Sequence, residues 1–76
     1  MIIQFSQGRL ILTPFEIQVR LNAPGVMLQA MVEDIKLHRD VLVLSADAGA
    51  VRWSLKLDHV QQADELIGFL GEQILL

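Results

Sequence analysis

Seventy-six residues, 53% hydrophobic and 20% charged with no cysteine, describe one small domain with apolar content too high for disorder and no disulfide to staple it. The formal net charge of −3 and the pI near 5.1 leave no concentrated basic face of the kind that holds a nucleic acid through its phosphates. The opening Met1-Ile2-Ile3-Gln4-Phe5 lacks the positive stretch and long apolar run of an export signal, and the longest unbroken hydrophobic run is Val41–Leu44, so a cytosolic chain that neither leaves the cell by that route nor spans a membrane is expected.

Two short runs, Ile2–Phe5 and Arg9–Thr13, flank Ser6-Gln7-Gly8 and read as a hairpin, glycine supplying the backbone freedom of a tight turn. After Pro14, Phe15–Asn22 alternates strictly: Phe15, Ile17, Val19 and Leu21 against Glu16, Gln18, Arg20 and Asn22. That is a strand with one wet face. Ala23-Pro24-Gly25 has the chemistry of a type II turn, with proline setting φ and glycine accepting the left-handed position. Val26–Glu33 differs, because Val26, Leu28, Ala30 and Val32 occupy one face and Met27, Gln29 and Met31 the other, so both faces look largely dry. His38-Arg39-Asp40 is a break, and Val41–Leu44 reads as a strand covered on both sides. Beyond Asp47-Ala48-Gly49-Ala50, a second one-sided strand runs over Val51–Asp58, with Val51, Trp53, Leu55 and Leu57 inward and Trp53 a core anchor.

The period then changes. Val60, Ala63, Leu66, Ile67, Leu70 and Ile74 recur at three and four, which predicts an amphipathic helix over 59–75. Asp58 and Gln61 have capping-box spacing, Asp64 and Glu65 lie early where the dipole favours negative charge, and the start at Asp58 or His59 stays open. The expected fold is therefore α+β: an antiparallel meander of six to seven strands over 2–57, as a sheet or small barrel, with one C-terminal helix.

No recognisable catalytic or ligand constellation emerges. His38 and His59, even with Asp34, Asp40 or Asp58, fit no short metal-ligand motif and read as solvated residues at element ends, so no metal and no cofactor are expected. His38-Arg39-Asp40 copies the letters of a kinase catalytic loop without its companion motifs. Ser6, Ser45 and Ser54 lack a nucleophile-elbow context, and the neighbouring pairs Glu33-Asp34 and Asp64-Glu65 diverge on a strand or helix. Gly68-Phe69-Leu70-Gly71 has the glycine spacing of a KH-domain clamp, but Phe69 and Leu70 fill it with apolar residues. Its glycines read as a close helix approach or a loosened last turn. Arg20, Arg52 and Lys56 are the one conceivable anion patch, but beside Glu16 and Asp58 they read as a solvated ion-pair surface worth little. The chain is not expected to be an enzyme.

Met27 and Met31 are the most informative positions. One helix covers one sheet face, so residues pointing the other way need a barrel that encloses them or a second copy that covers them. The gain from apolar burial, about 110 kcal/mol, nearly equals an ordering cost of about 1.5 kcal/mol per residue. Extra burial in a homodimer or other homo-oligomer then counts, with Met27, Met31, Gly68, Phe69 and Gly71 as interface candidates. A module binding a peptide on an open sheet edge, or a small apolar ligand beside the methionines, is the second expectation.

Val51-Arg52-Trp53-Ser54-Leu55-Lys56-Leu57 running into a capped helix resembles the closing strand and helix of pleckstrin-homology-like barrels. Those usually need about 100 residues and, in the lipid-headgroup version, place several basic residues around the first hairpin, where this chain has only Arg9. From Ile2-Ile3-Gln4-Phe5-Ser6-Gln7-Gly8 to Val51-Arg52-Trp53-Ser54, the chain as a whole resembles short bacterial families of unknown function, a likeness that implies no activity.

Overall fold

A computed structural model describes residues 1–76. Seven strands precede the helix: β1 Ile2–Phe5, β2 Gly8–Leu12, β3 Glu16–Leu21, β4 Met27–Met31, β5 Ile35–His38, β6 Val43–Asp47 and β7 Arg52–Lys56, then α1 Val60–Leu70. They form two open antiparallel sheets in sequence order, β1-β2-β3-β4 and β5-β6-β7. The fold is α+β, and the sheets do not close into a barrel. A turn of 3-10 helix, Val32–Asp34, carries the chain from the first sheet to the second.

Alternation sets each sheet's inner face. Ile3, Phe5, Leu10, Leu12, Ile17, Val19 and Ala30 from the first sheet meet Ile35, Leu37, Leu44, Ala46 and Leu55 from the second, and Ala63, Leu66 and Leu70 of α1 join the same cluster. Trp53 is half-buried against this core, and its indole Nε1 donates to the Gln29 carbonyl at 3.5 Å, linking β7 to the free edge of β4. Pro24 and Gly25, the latter at φ 76°, form the β3–β4 turn with Val26 N–H donating to Ala23 O, in the arrangement the sequence predicts.

Several sequence patterns end differently in the structure: Phe15 and Val51, inward by alternation, fall just outside β3 and β7 and are 73% and 63% exposed. Val41 and Leu42 are not strand: Val41 is exposed in a turn, and Leu42 adopts φ 59°, an uncommon conformation for leucine. The Leu42 carbonyl accepts the Leu57 N–H at 2.8 Å and the side chain packs on the core, so tertiary contacts override the local pattern. The helix is shorter than 59–75, because Gly71 at φ 93° ends it, leaving Glu72–Ile74 as a 3-10 turn that still buries Ile74. Its N-cap is His59, not Asp58, and the residue that reaches back is Gln62, not Gln61. The Gln62 Oε1 accepts the N–H groups of Asp58 at 2.8 Å and His59 at 3.1 Å.

Asp58 is left free to clasp the first hairpin, accepting the Ser6 N–H and the Ser6 hydroxyl at 2.7 Å each. The hydroxyl bond chiefly, helped by the Ser6 N–H, Gln62 and His59, holds the Asp58 carboxyl below its ordinary value of 3.8 against an opposing desolvation. A carboxyl depressed in the folded state stabilises above its unfolded pKa and loses that contribution as pH falls through its folded pKa. Acidification from pH 5 to pH 2 is therefore expected to lower the urea midpoint, and Asp58→Asn, with one acceptor oxygen for two donors, to lower it at pH 5 and flatten the acid loss. An unchanged acid slope in the variant would show that the clasp contributes nothing to acid stability. Asp64, likewise depressed by its bond from Arg39, supplies a residual slope.

Candidate interaction surface

The outward side chains of the four-stranded sheet form a surface with no other element over it. The register sets them in rows across the strands: Gln4–Arg9–Arg20–Met27, then Ile2–Ile11–Gln18–Gln29, then Glu16–Met31. Leu28 and Ala30 of β4 turn inward, so Val26–Glu33 has one dry face, not two, and Glu33 falls in the 3-10 turn. Met27 and Met31 are 52% and 45% exposed. A barrel enclosing them is excluded by the open sheets; the methionines stand uncovered on β4, and Ile2, at 57%, stands on β1 at the opposite edge of the face. Phe15, 73% exposed, sits at the β2–β3 turn. Thr13 Oγ1 fixes that turn by accepting the N–H groups of Phe15 and Glu16.

Two clefts open at the ends of β4. One, of about 580 Å³, is lined by Arg9, Arg20, Met27 and the β3–β4 turn. The other, of about 430 Å³, is lined by Pro14, Phe15, Met31 and Gln73 among others.

Charge on this face is uneven. Arg9 and Arg20 are direct cross-strand partners, an arrangement that sets like charges side by side. The chain's ion pairs are Arg39–Asp64 at 2.9 Å and Arg52–Asp47 at 3.3 Å, so neither Arg9 nor Arg20 has a carboxylate partner. Glu16, the one acid on the face, accepts from the Gln29 amide at 2.5 Å. Arg20, Arg52 and Lys56 do not come together as an anion patch. Arg52 and Lys56 project from the three-stranded sheet, and Arg52 is engaged by Asp47. The pairing of Arg9 with Arg20 escaped the sequence reading, although folding the chain about Pro14-Phe15 would have found it.

The other singled-out residues lie apart. His38 ends β5 and His59 caps α1, Ser6 is held by Asp58, and Asp64 is held by Arg39. Phe69 is exposed on α1 and lines neither cleft, Gly68 has open space where a Cβ would sit, and Gly71 is the helix C-cap. The glycines therefore serve no close helix approach; Gly71 answers to the loosened end. No helix is long and apolar enough to cross a membrane.

No curated protein and no solved structure matches the chain. A family model described as Protein of unknown function (DUF3389) matches residues 1–74, and on that span the chain belongs to the DUF3389 family.

Proposed function

We propose that this protein is a small, non-catalytic interaction domain of the cytosol that self-associates through the outer face of its four-stranded sheet. The carrying observation is the set of uncovered apolar side chains at the two edges of that face, Met27 and Met31 on β4 and Ile2 on β1, on a domain whose one helix is spent on the other side. Methionine suits such a contact because its unbranched thioether adapts to the opposing surface. A chain without cysteine suits a reducing compartment.

Light scattering across a dilution series is expected to show a dimer dissociating to monomer. The double variant Met27→Lys/Met31→Lys is expected to weaken association at least tenfold while keeping the far-UV spectrum, since both side chains leave the core untouched. A folded wild-type monomer at every concentration up to the millimolar range would overturn the proposal.

A second reading, a module for a small apolar ligand, is favoured by the cleft beside Met31, lined by Pro14, Phe15, Val32 and Ile35 and of a volume within the usual range for ligand sites. Saturable amide shifts confined to one cleft on titration with aliphatic probes would select it. Capture of a peptide strand along β4 is less favoured, because Trp53 already occupies the Gln29 carbonyl on that edge.

A further inference from the structure

The outer face carries a symmetry of its own. Gln18 and Gln29 are cross-strand partners, and the row they share continues through Ile11 to Ile2. Two residues from Gln18 along β3 lie Glu16 on one side and Arg20 on the other, while two residues from Gln29 along β4 lie Met31 and Met27. At about 3.3 Å per residue, each pair is spaced about 13 Å apart with its midpoint on that row.

We infer that a second copy of this chain packs face to face on the four-stranded sheet about a two-fold axis lying along the row Ile2–Ile11–Gln18–Gln29. The inference rests on the self-association reading and names how the copies meet. A two-fold rotation about that line exchanges the flanking rows. Arg20 then faces the partner's Glu16, Met27 faces the partner's Met31, and Ile2 and Ile11 meet their own counterparts at the axis. This is the reciprocal pattern of an isologous interface, in which residue i meets j and j meets i.

Charge selects this axis over the other in-plane choice. A two-fold axis running along the strands would leave each row over itself, setting the Arg9–Arg20 pair of one copy on that of the next. The proposed axis instead brings the partner's Glu16 to two guanidinium groups that have no carboxylate in their own chain. It also sets the two methionines, separated on one β4, into contact across the interface.

Charge inversion tests the pairing. Arg20→Glu and Glu16→Arg are each expected to raise the dimer dissociation constant at least tenfold, because each sets like charges together at both symmetric contacts. The double variant is expected to return to within threefold of wild type. Mixing the two single variants is likewise expected to give a heterodimer, since each then offers opposite charge to the other at both contacts. That rescue also excludes misfolding as the cause of the single-variant losses. If the wild type dimerises but neither the double variant nor the mixture recovers, this axis is overturned and self-association stands. A wild type that stays monomeric throughout overturns both.

Discussion

Gly8→Ala is expected to cost about 3 to 5 kcal/mol, a large part of the roughly 4 to 11 kcal/mol available to a chain of this length. A Cβ at position 8 would stand 2.0 Å from the Arg20 carbonyl oxygen and 2.9 Å from both the Arg20 carbonyl carbon and the Leu21 Cα. All three are backbone atoms, so no rotamer relieves the overlap and β2 must part from β3 where Gly8 opposes Leu21. The same register holds Leu10 opposite Val19 in the core and Arg9 opposite Arg20 outside, so the change strikes the fold and the interaction surface together. Calorimetry should show a midpoint lowered by at least about 12 °C, taking about 4 °C per kcal/mol. Gly68→Ala is the matched control. Its added methyl meets nothing within 4 Å and lies inside α1, where alanine favours helix by up to about 1 kcal/mol, so its midpoint should rise. A Gly8→Ala midpoint within a few degrees of wild type would show that the strand pair relaxes around the methyl.

The contrast between these glycines shows which physics a single sequence displays. Gly8 reads only as a turn residue, because its need arises from Leu21 and Arg20, more than ten positions away. The one-sided strands and the Pro24-Gly25 turn are legible since alternation and φ preference act over neighbouring residues. Val41-Leu42 misleads for the opposite reason: an apolar pair that looks like strand is held in a turn by the Leu57 N–H and by burial of Leu42. In the helix, periodicity carries the pattern to Ile74 without showing that Gly71 interrupts it, because a 3-10 turn can still present Ile74 to the core. For the interaction surface, Met27 and Met31 could be found by asking what remains uncovered. Arg9 and Glu16 gain their meaning only from the cross-strand register, which has to be built by folding β2 on β3 about Pro14-Phe15. The two sheets make this general: a strand's facing is local, while its neighbour is decided by turn length and by what the core accepts.

Gln62→Ala is expected to cost about 2 to 4 kcal/mol, the scale of several part-buried backbone groups losing their partners. The side chain accepts from the Asp58 and His59 N–H groups and donates through Nε2 to the Gln4 carbonyl at 2.8 Å, joining the start of α1 to β1. Gln62→Glu separates these roles. A carboxylate keeps both acceptor contacts but sets a bare oxygen against the Gln4 carbonyl and near the Asp58 carboxylate, the latter 3.5 Å from Nε2 in the wild type. The Gln4 carbonyl and the Asp58 carboxylate disfavour the charged form while the two N–H groups favour it. Where the repulsion wins, the pKa of the introduced carboxyl rises on folding, and by linkage its penalty is present above that raised pKa and relieved as pH falls through it. Urea midpoints at pH 7 and pH 5 should therefore converge on wild type toward the lower pH, in a range still above the acid loss of Asp58. A gap constant with pH would mean that the two N–H groups offset the repulsion from the Gln4 carbonyl and Asp58. Because Gln4 offers its carbonyl to the helix while its side chain stands on the outer face, the folded Gln62→Glu protein should keep the self-association of the wild type. Loss of both together would place the helix, and not the sheet, at the origin of the interface.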